Sequence, residues 1–217
     1  MTVLADILHN KVVSIIRGVP SKNIVDAVSA LAEGGVRCVE ITFNPADPVA
    51  STDTLRSIEK LKTTFGDKLH VGAGTVLTAN QVDLAAAVGA EFMISPNVSQ
   101  SVIMRTKALG LVSMPGAYTP TEAQQAHEYG ADIIKIFPAD CLGVKYFKAI
   151  KAPLSHLRFA AVGGVNTSNI ADFLAIGVDA FGIGGNLVNS RIVKDKNWSA
   201  ITQAAEAYMK AVIAARC

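Results

Sequence analysis

Lys135 lies inside Asp-Ile-Ile-Lys-Ile-Phe-Pro (132–138), with Ile134 and Ile136 on either side and Phe137 following. A lysine in such a run cannot easily reach bulk water, and desolvation disfavours its ammonium form, so its pKa falls toward neutrality. A neutral amine is what a Schiff base with a carbonyl substrate requires. Glu40 stands in Cys-Val-Glu-Ile-Thr-Phe (38–43), another apolar run. A carboxylate facing that lysine would serve as a proton shuttle, or in the simpler reading as its counter-ion. Arg17 closes Val-Val-Ser-Ile-Ile-Arg (12–17), just before Gly18. A guanidinium there suits a substrate carboxylate or phosphate and would push a neighbouring lysine's pKa down; the plain alternative is a surface arginine.

Two glycine-rich stretches suggest an anion site. Gly163 and Gly164 end one apolar run, and Gly182-Ile183-Gly184-Gly185-Asn186 ends the next. Glycines let backbone N–H groups approach phosphate oxygens at a helix N-terminus, although they also serve ordinary turns. Val162 directly precedes the first pair and should therefore lie beside the middle of a bound phosphorylated chain. Gly72-Ala73-Gly74-Thr75 offers space, and the Thr75 hydroxyl could bond a carboxylate. Pro96, Pro115 and Pro138 read as turn-shaping residues. None of His9, His70, His127 and His156 is at metal-ligand spacing from another His or Cys, so the sequence calls for no metal and no cofactor.

The elements that must position these residues alternate. Strand-like runs cover 12–17, 38–43, 69–75, 92–96, 111–116, 132–138, 158–164 and 180–185, each nearly continuous in apolar character, as strands covered on both faces read. Between them, stretches such as IVDAVSALAEGG and NIADFLAIGVDA carry helical spacing and contain the glycines that stop helices. Pro20-Ser21, Thr119-Pro120-Thr121-Glu122 and Asn166-Thr167 read as helix starts. Eight such units without a linker predict one (β/α)₈ barrel spanning residues 1–217, with 1–10 as a short N-terminal helix and a last helix from about Trp198. A doubly wound open sheet is the second choice, and it often carries a Gly-x-Gly-x-x-Gly turn after its first strand, absent here. In a barrel, chemistry sits at the C-terminal ends of the strands, where the candidate residues fall.

Bulk composition narrows the class. The 217 residues are 50% hydrophobic and 18% charged, enough for one sizeable core and against disorder. A net charge of +2 points away from nucleic acid and is compatible with a small anionic ligand. Cys38, Cys141 and Cys217 are far apart and read as free thiols of a reducing compartment. The N-terminus carries Asp6 and no long apolar run, so neither a signal peptide nor a membrane helix is expected.

The stretches EGGVRCVEIT, VGAGTVLTANQ, ISPNVS, IIKIFPA, AVGGVN and GIGGNLV together resemble one family over nearly the whole chain. It is the 2-keto-3-deoxy-6-phosphogluconate (KDPG) and 4-hydroxy-2-oxoglutarate (KHG) aldolase family, with its 2-keto-3-deoxy-6-phosphogalactonate (KDPGal) branch. The resemblance implies a class I aldolase. In it Lys135 matches the Schiff-base lysine and Glu40 the acid/base glutamate. Thr75, Pro96 and Phe137 match pocket residues around the pyruvyl group, and Gly163, Gly164, Gly184, Gly185 and Asn186 match the phosphate site. It also implies a cytoplasmic homotrimer acting on a phosphorylated keto-deoxy sugar acid. Two positions depart from the gluconate pattern: Asn44 stands where those enzymes look to carry arginine, and Val162 where they tend to have threonine. Both look more like the galactonate branch. Two rival readings are another phosphosugar-binding barrel enzyme, an epimerase or isomerase, and a non-catalytic phosphosugar-binding module. Many enzymes of the first kind need acidic pairs or a His-rich metal site at strand ends, which the sequence does not show, and the second would not need a lysine inside the sixth strand.

Overall fold

The aliphatic and β-branched runs form nine short parallel strands in the computed structural model, which describes residues 2–216. They are β1 Val12–Ile16, β2 Cys38–Thr42, β3 His70–Gly74, β4 Phe92–Ile94, β5 Val112–Met114, β6 Gly116–Ala117, β7 Ile134–Ile136, β8 Phe159–Val162 and β9 Ala180–Ile183. The helices are α1 Val3–Asn10, α2 Ile24–Glu33, α3 Pro48–Phe65, α4 Ala79–Ala87, α5 Gln100–Ala108, α6 Pro120–Glu128, α7 Gly143–Lys151, α8 Ile170–Ala175, α9 Ser190–Lys194 and α10 Trp198–Ala214. None of them is long and apolar enough to cross a membrane.

The sheet runs β5-β4-β3-β2-β1-β9-β8-β7-β6. Its two ends are consecutive in the chain, because the expected fifth strand is split at Pro115, which has no N–H to give a ladder. Hydrogen bonds cross the join: Asp132 N–H reaches Ser113 O at 3.0 Å and Lys135 N–H reaches Pro115 O at 2.9 Å. The result is the expected α/β barrel, with eight strand positions and nine strand segments.

Alternation along each strand sorts side chains into two sets. Val13, Cys38, Phe92, Ile94, Val112, Met114, Ile133, Ala160 and Ala180 fill the barrel interior, together with Ile7 of α1. Ile7 is fully buried, worth roughly 1.5–3 kcal/mol, and Leu4 and Leu8 pack beside it, so α1 lies under the barrel's N-terminal end. The alternate residues, among them Ile16, Val39, Ile41, Ile134 and Phe159, join the larger cluster between strands and helices. Cys38 is a free thiol in the interior, its pKa pushed up to about 12 by burial, with Asp6 and Glu91 adding to the effect. Cys141 is free and exposed, and Cys217 lies outside the described residues.

The helix starts follow local chemistry. Thr119 caps α6 in a full capping box with Glu122, with Pro120 in the first turn, as its sequence indicates. Thr78 and Gln81 do the same for α4. The Pro20-Ser21 signal instead marks a turn: Asn23 N–H bonds Pro20 O, Ser21 N–H goes to Asp53, and α2 begins at Ile24. Asn166 likewise builds a turn through its side chain, and α8 starts only at Ile170.

Candidate active site

Glu40 lies on the inward face of β2 with Cys38 and Thr42, and Lys135 on the inward face of β7 above Ile133. Both sit toward the C-terminal ends of their strands, beyond the apolar plug. The strand neighbours of Lys135 are Gly116 and Ala160, and that of Glu40 on β3 is Gly72. These small residues leave the lumen open around two long polar side chains. Lys135 is 7% exposed and Glu40 2%.

Each group's pKa is displaced from its ordinary value. Burial pushes the Lys135 pKa down; Glu40 opposes that and Arg17 adds to it. Burial pushes Glu40 up, against the attraction of Lys135 and Arg17. Among the described residues no ion pair within 4.0 Å joins Lys135 to Glu40, and Oε2 of Glu40 is buried without a hydrogen-bond partner. A buried carboxylate oxygen without a hydrogen-bond partner is costly, so Glu40 is an expensive residue to keep at this place for packing alone. The Phe137 ring, 40% exposed, lies 4.8 Å from Lys135 Nζ and forms a wall beside the amine.

Thr75 follows Gly74 at the end of β3, half-buried, with φ at 55°. A β-branched residue in the left-handed region costs of order 1–3 kcal/mol, and such strain concentrates at working sites. Pro96 is exposed just past β4, and its carbonyl packs against Gly116, where a methyl would come within 2.4 Å. Arg17 and Asn44 line one cavity of about 280 Å³ with Thr42 and Phe43, on the β1–β2 side of the mouth. Lys135 and Glu40 do not line that cavity, but Arg17 at its edge is near enough to act on the charge of both.

Val162 is 5% exposed and leans over Gly182, where a methyl would meet its Cγ2 at 2.8 Å and Ile15 at 3.0 Å. Beyond it, Gly163 and Gly164 have φ of 95° and 70°, a backbone path that side-chain-bearing residues rarely adopt. They line a cleft of about 180 Å³ with Ala139, Asp140 and Asn169. Gly184 and Gly185 follow the adjacent strand β9, and nothing crowds the Gly185 Cα. The Asn186 side chain turns away from this cleft: its amide donates to Tyr208 Oη at 3.1 Å and Val165 O at 3.4 Å, tying the two glycine loops to α10.

Two site residues escape the sequence reading. Thr42, two positions beyond Glu40 on the same face, is buried with its hydroxyl unpartnered; alternation from Glu40 is the signal that could find it. Asp140 lies against Gly164, whose added methyl would meet its Cβ at 2.2 Å, and nothing in its exposed loop sequence marks it. Among the described residues no group of three or more His, Cys, Asp or Glu side chains could hold a metal ion.

The family model for KDPG and KHG aldolases matches residues 3–204. A probable 2-dehydro-3-deoxy-6-phosphogalactonate aldolase of Rhizobium meliloti is 42% identical over 83% of this chain and 82% of its own. The 2-dehydro-3-deoxy-6-phosphogalactonate aldolase of Escherichia coli is 35% identical over 92% and 95%. Among solved structures, a native KDPGal structure superposes with a TM-score of 0.86 at 34% identity, covering 94% of this chain and 95% of that one. The KDPG aldolase of Legionella pneumophila, with pyruvate captured as a covalent carbinolamine, superposes with a TM-score of 0.85 at 28% identity, covering 94% and 97%. A match along nearly the whole length, from α1 into α10, and a barrel with lysine and glutamate buried at its mouth lead to one conclusion: the chain belongs to the KDPG and KHG aldolase family.

Proposed function

We propose that Lys135 is the Schiff-base lysine of a class I aldolase that cleaves 2-keto-3-deoxy-6-phospho sugar acids, with Glu40 as its acid and base. The observation that carries this is the pair itself: two buried, oppositely ionisable side chains face one lumen without an ion pair, each shifted toward its neutral form. A counter-ion role alone would favour contact between them.

In this reading the neutral Lys135 amine attacks C2 of the keto acid and water departs, leaving a protonated imine as electron sink. Glu40, directly or through a water, takes the proton of the C4 hydroxyl. The C3–C4 bond breaks, glyceraldehyde 3-phosphate leaves, and the electron pair stays on C3 as an enamine. Glu40 returns its proton to C3, and hydrolysis of the imine frees pyruvate. In the same reading Arg17 and the Thr75 hydroxyl serve the carboxylate end, and Pro96 and Phe137 flank the pyruvyl group. The backbone of Gly163, Gly164, Gly184 and Gly185 receives the phosphate, with Asn186 bracing that loop. The same machinery handles 4-hydroxy-2-oxoglutarate, yielding glyoxylate in place of the phosphorylated aldehyde.

Val162 presents no hydroxyl to C4, so both the gluconate and galactonate epimers are expected to be cleaved. A pyruvate-release assay on the two epimers tests this; a strong preference for the gluconate epimer would contradict it. A cytoplasmic homotrimer completes the proposal, and sedimentation equilibrium should find three chains per particle rather than one or two.

A further inference from the structure

The two glycines near the end of β3 are small for different neighbours. A methyl at Gly72 would come within 2.2 Å of the Phe92 ring, inside the apolar plug. A methyl at Gly74 would stand 1.6 Å from Oε1 of Glu40, 2.3 Å from its Cδ and 2.5 Å from its Cγ. Gly74 is not among the residues with positive φ, so its backbone conformation is open to any residue. Space is what demands glycine there.

That space belongs to a carboxylate with little else to hold it. No hydrogen bond to the Glu40 side chain exists among the described residues, and its Oε2 is an orphan. The carboxylate instead rests on the bare Cα of Gly74. The strand beneath cannot recede: Gly74 pairs with Thr42 on one side and Ile94 on the other, and its carbonyl accepts Phe43 N–H at 2.8 Å. Any side chain added at 74 therefore moves Glu40, by about 2 Å to regain ordinary van der Waals separation. A displacement of roughly 1 Å from reacting geometry can cost about 10²-fold in rate.

We propose that Gly74 is a positioning residue for proton transfer: its missing side chain sets where the Glu40 carboxylate stands in the barrel mouth. This rests on the reading of Lys135 as the imine-forming residue and Glu40 as the acid/base. Gly74 itself touches no reacting atom; it acts through Glu40 alone.

The test compares Gly74→Ala, Glu40→Ala and the double variant in three measurements: borohydride trapping of pyruvate on the protein, deuterium exchange into the methyl group of pyruvate in heavy water, and thermal melting. Gly74→Ala should still trap pyruvate within a few-fold of the parent chain, while methyl exchange falls by about 10²-fold or more. In the double variant the new methyl occupies the volume vacated by Glu40. Its exchange rate should match that of Glu40→Ala alone, and it should melt above Gly74→Ala. Near-parental exchange in Gly74→Ala overturns the proposal, as does a double variant whose losses multiply. If Gly74→Ala does not fold, a folded double variant supports the proposal and an unfolded one overturns it, since the obstruction would then not be Glu40. Normal exchange in Glu40→Ala would instead refute the acid/base assignment on which the proposal stands, an outcome separate from the others.

Discussion

Lys135 and Glu40 are legible in the sequence because a charged residue inside a continuous apolar run is expensive unless it is used. Their burial at the C-terminal end of the barrel fits that reading, and their mutual influence makes it testable. Glu40→Gln keeps the shape of the side chain but cannot carry a proton, so kcat for cleavage should fall by about 10²–10⁴-fold while pyruvate adduct formation survives. The charge of Glu40 raises the pKa of Lys135, against burial. Removing it lets that pKa fall further, so the pH profile of adduct formation should shift to lower pH in the variant. A shift upward, or near-normal turnover, would leave Glu40 only a counter-ion. Val162 stands out in the sequence only by its position ahead of Gly163, and it is buried over Gly182. Val162→Thr adds a hydroxyl at nearly constant shape, worth ~1 kcal/mol if it bonds the C4 hydroxyl of one epimer. The ratio of kcat/KM should move several-fold toward the gluconate substrate, and an unchanged ratio would show that Val162 does not read C4. Thr42 and Asp140 carry no signal of their own in the sequence, because small polar residues at strand ends and in loops are ordinary there; only their neighbours in space make them candidates.

At the scale of elements, the strands were legible from apolar runs and several helices from their caps, but the fastening of the barrel's lower end was not. Three acidic residues just ahead of strands repeat one arrangement. Glu91 accepts Val71 N–H and pairs with Lys62, Asp132 accepts Ser113 N–H and pairs with Lys107, and Asp179 accepts Phe159 N–H and pairs with Lys151. Each thus ties a helix-borne lysine to the first rungs of the neighbouring strand. Partners lie 25 to 29 residues apart in the cases of Lys107–Asp132 and Lys62–Glu91, too far for a local pattern to reveal. His70 adds a fourth link, its ring nitrogens 2.7 Å from Asp6 and 3.0 Å from Glu91, which fastens α1 beneath β3. Asp132→Ala should cost about 1–3 kcal/mol by stripping Lys107 and Ser113 N–H of their partner, seen as a lower melting temperature. Because this end is remote from the mouth, kcat below the melting range should stay near that of the parent chain. A large loss of kcat without loss of stability would contradict this division of labour between the two ends.

The whole molecule divides along the barrel axis: an apolar plug and charged fastenings below, small residues and ionisable groups above. The strand–helix alternation made the barrel legible, whereas the split of its fifth strand at Pro115 depended on how the sheet closes. The placement of Arg17 and Asn44 in a side cavity likewise depends on loops whose course no periodicity encodes. On the proposed reading, the upper end of the barrel presents the Lys135 amine to a keto acid. Incubation with pyruvate and borohydride, followed by peptide mass mapping, tests it most directly. The expected result is loss of activity with a single reduced pyruvyl adduct on Lys135, absent from Lys135→Met. An adduct on another lysine, or a fully active enzyme with none, would contradict it.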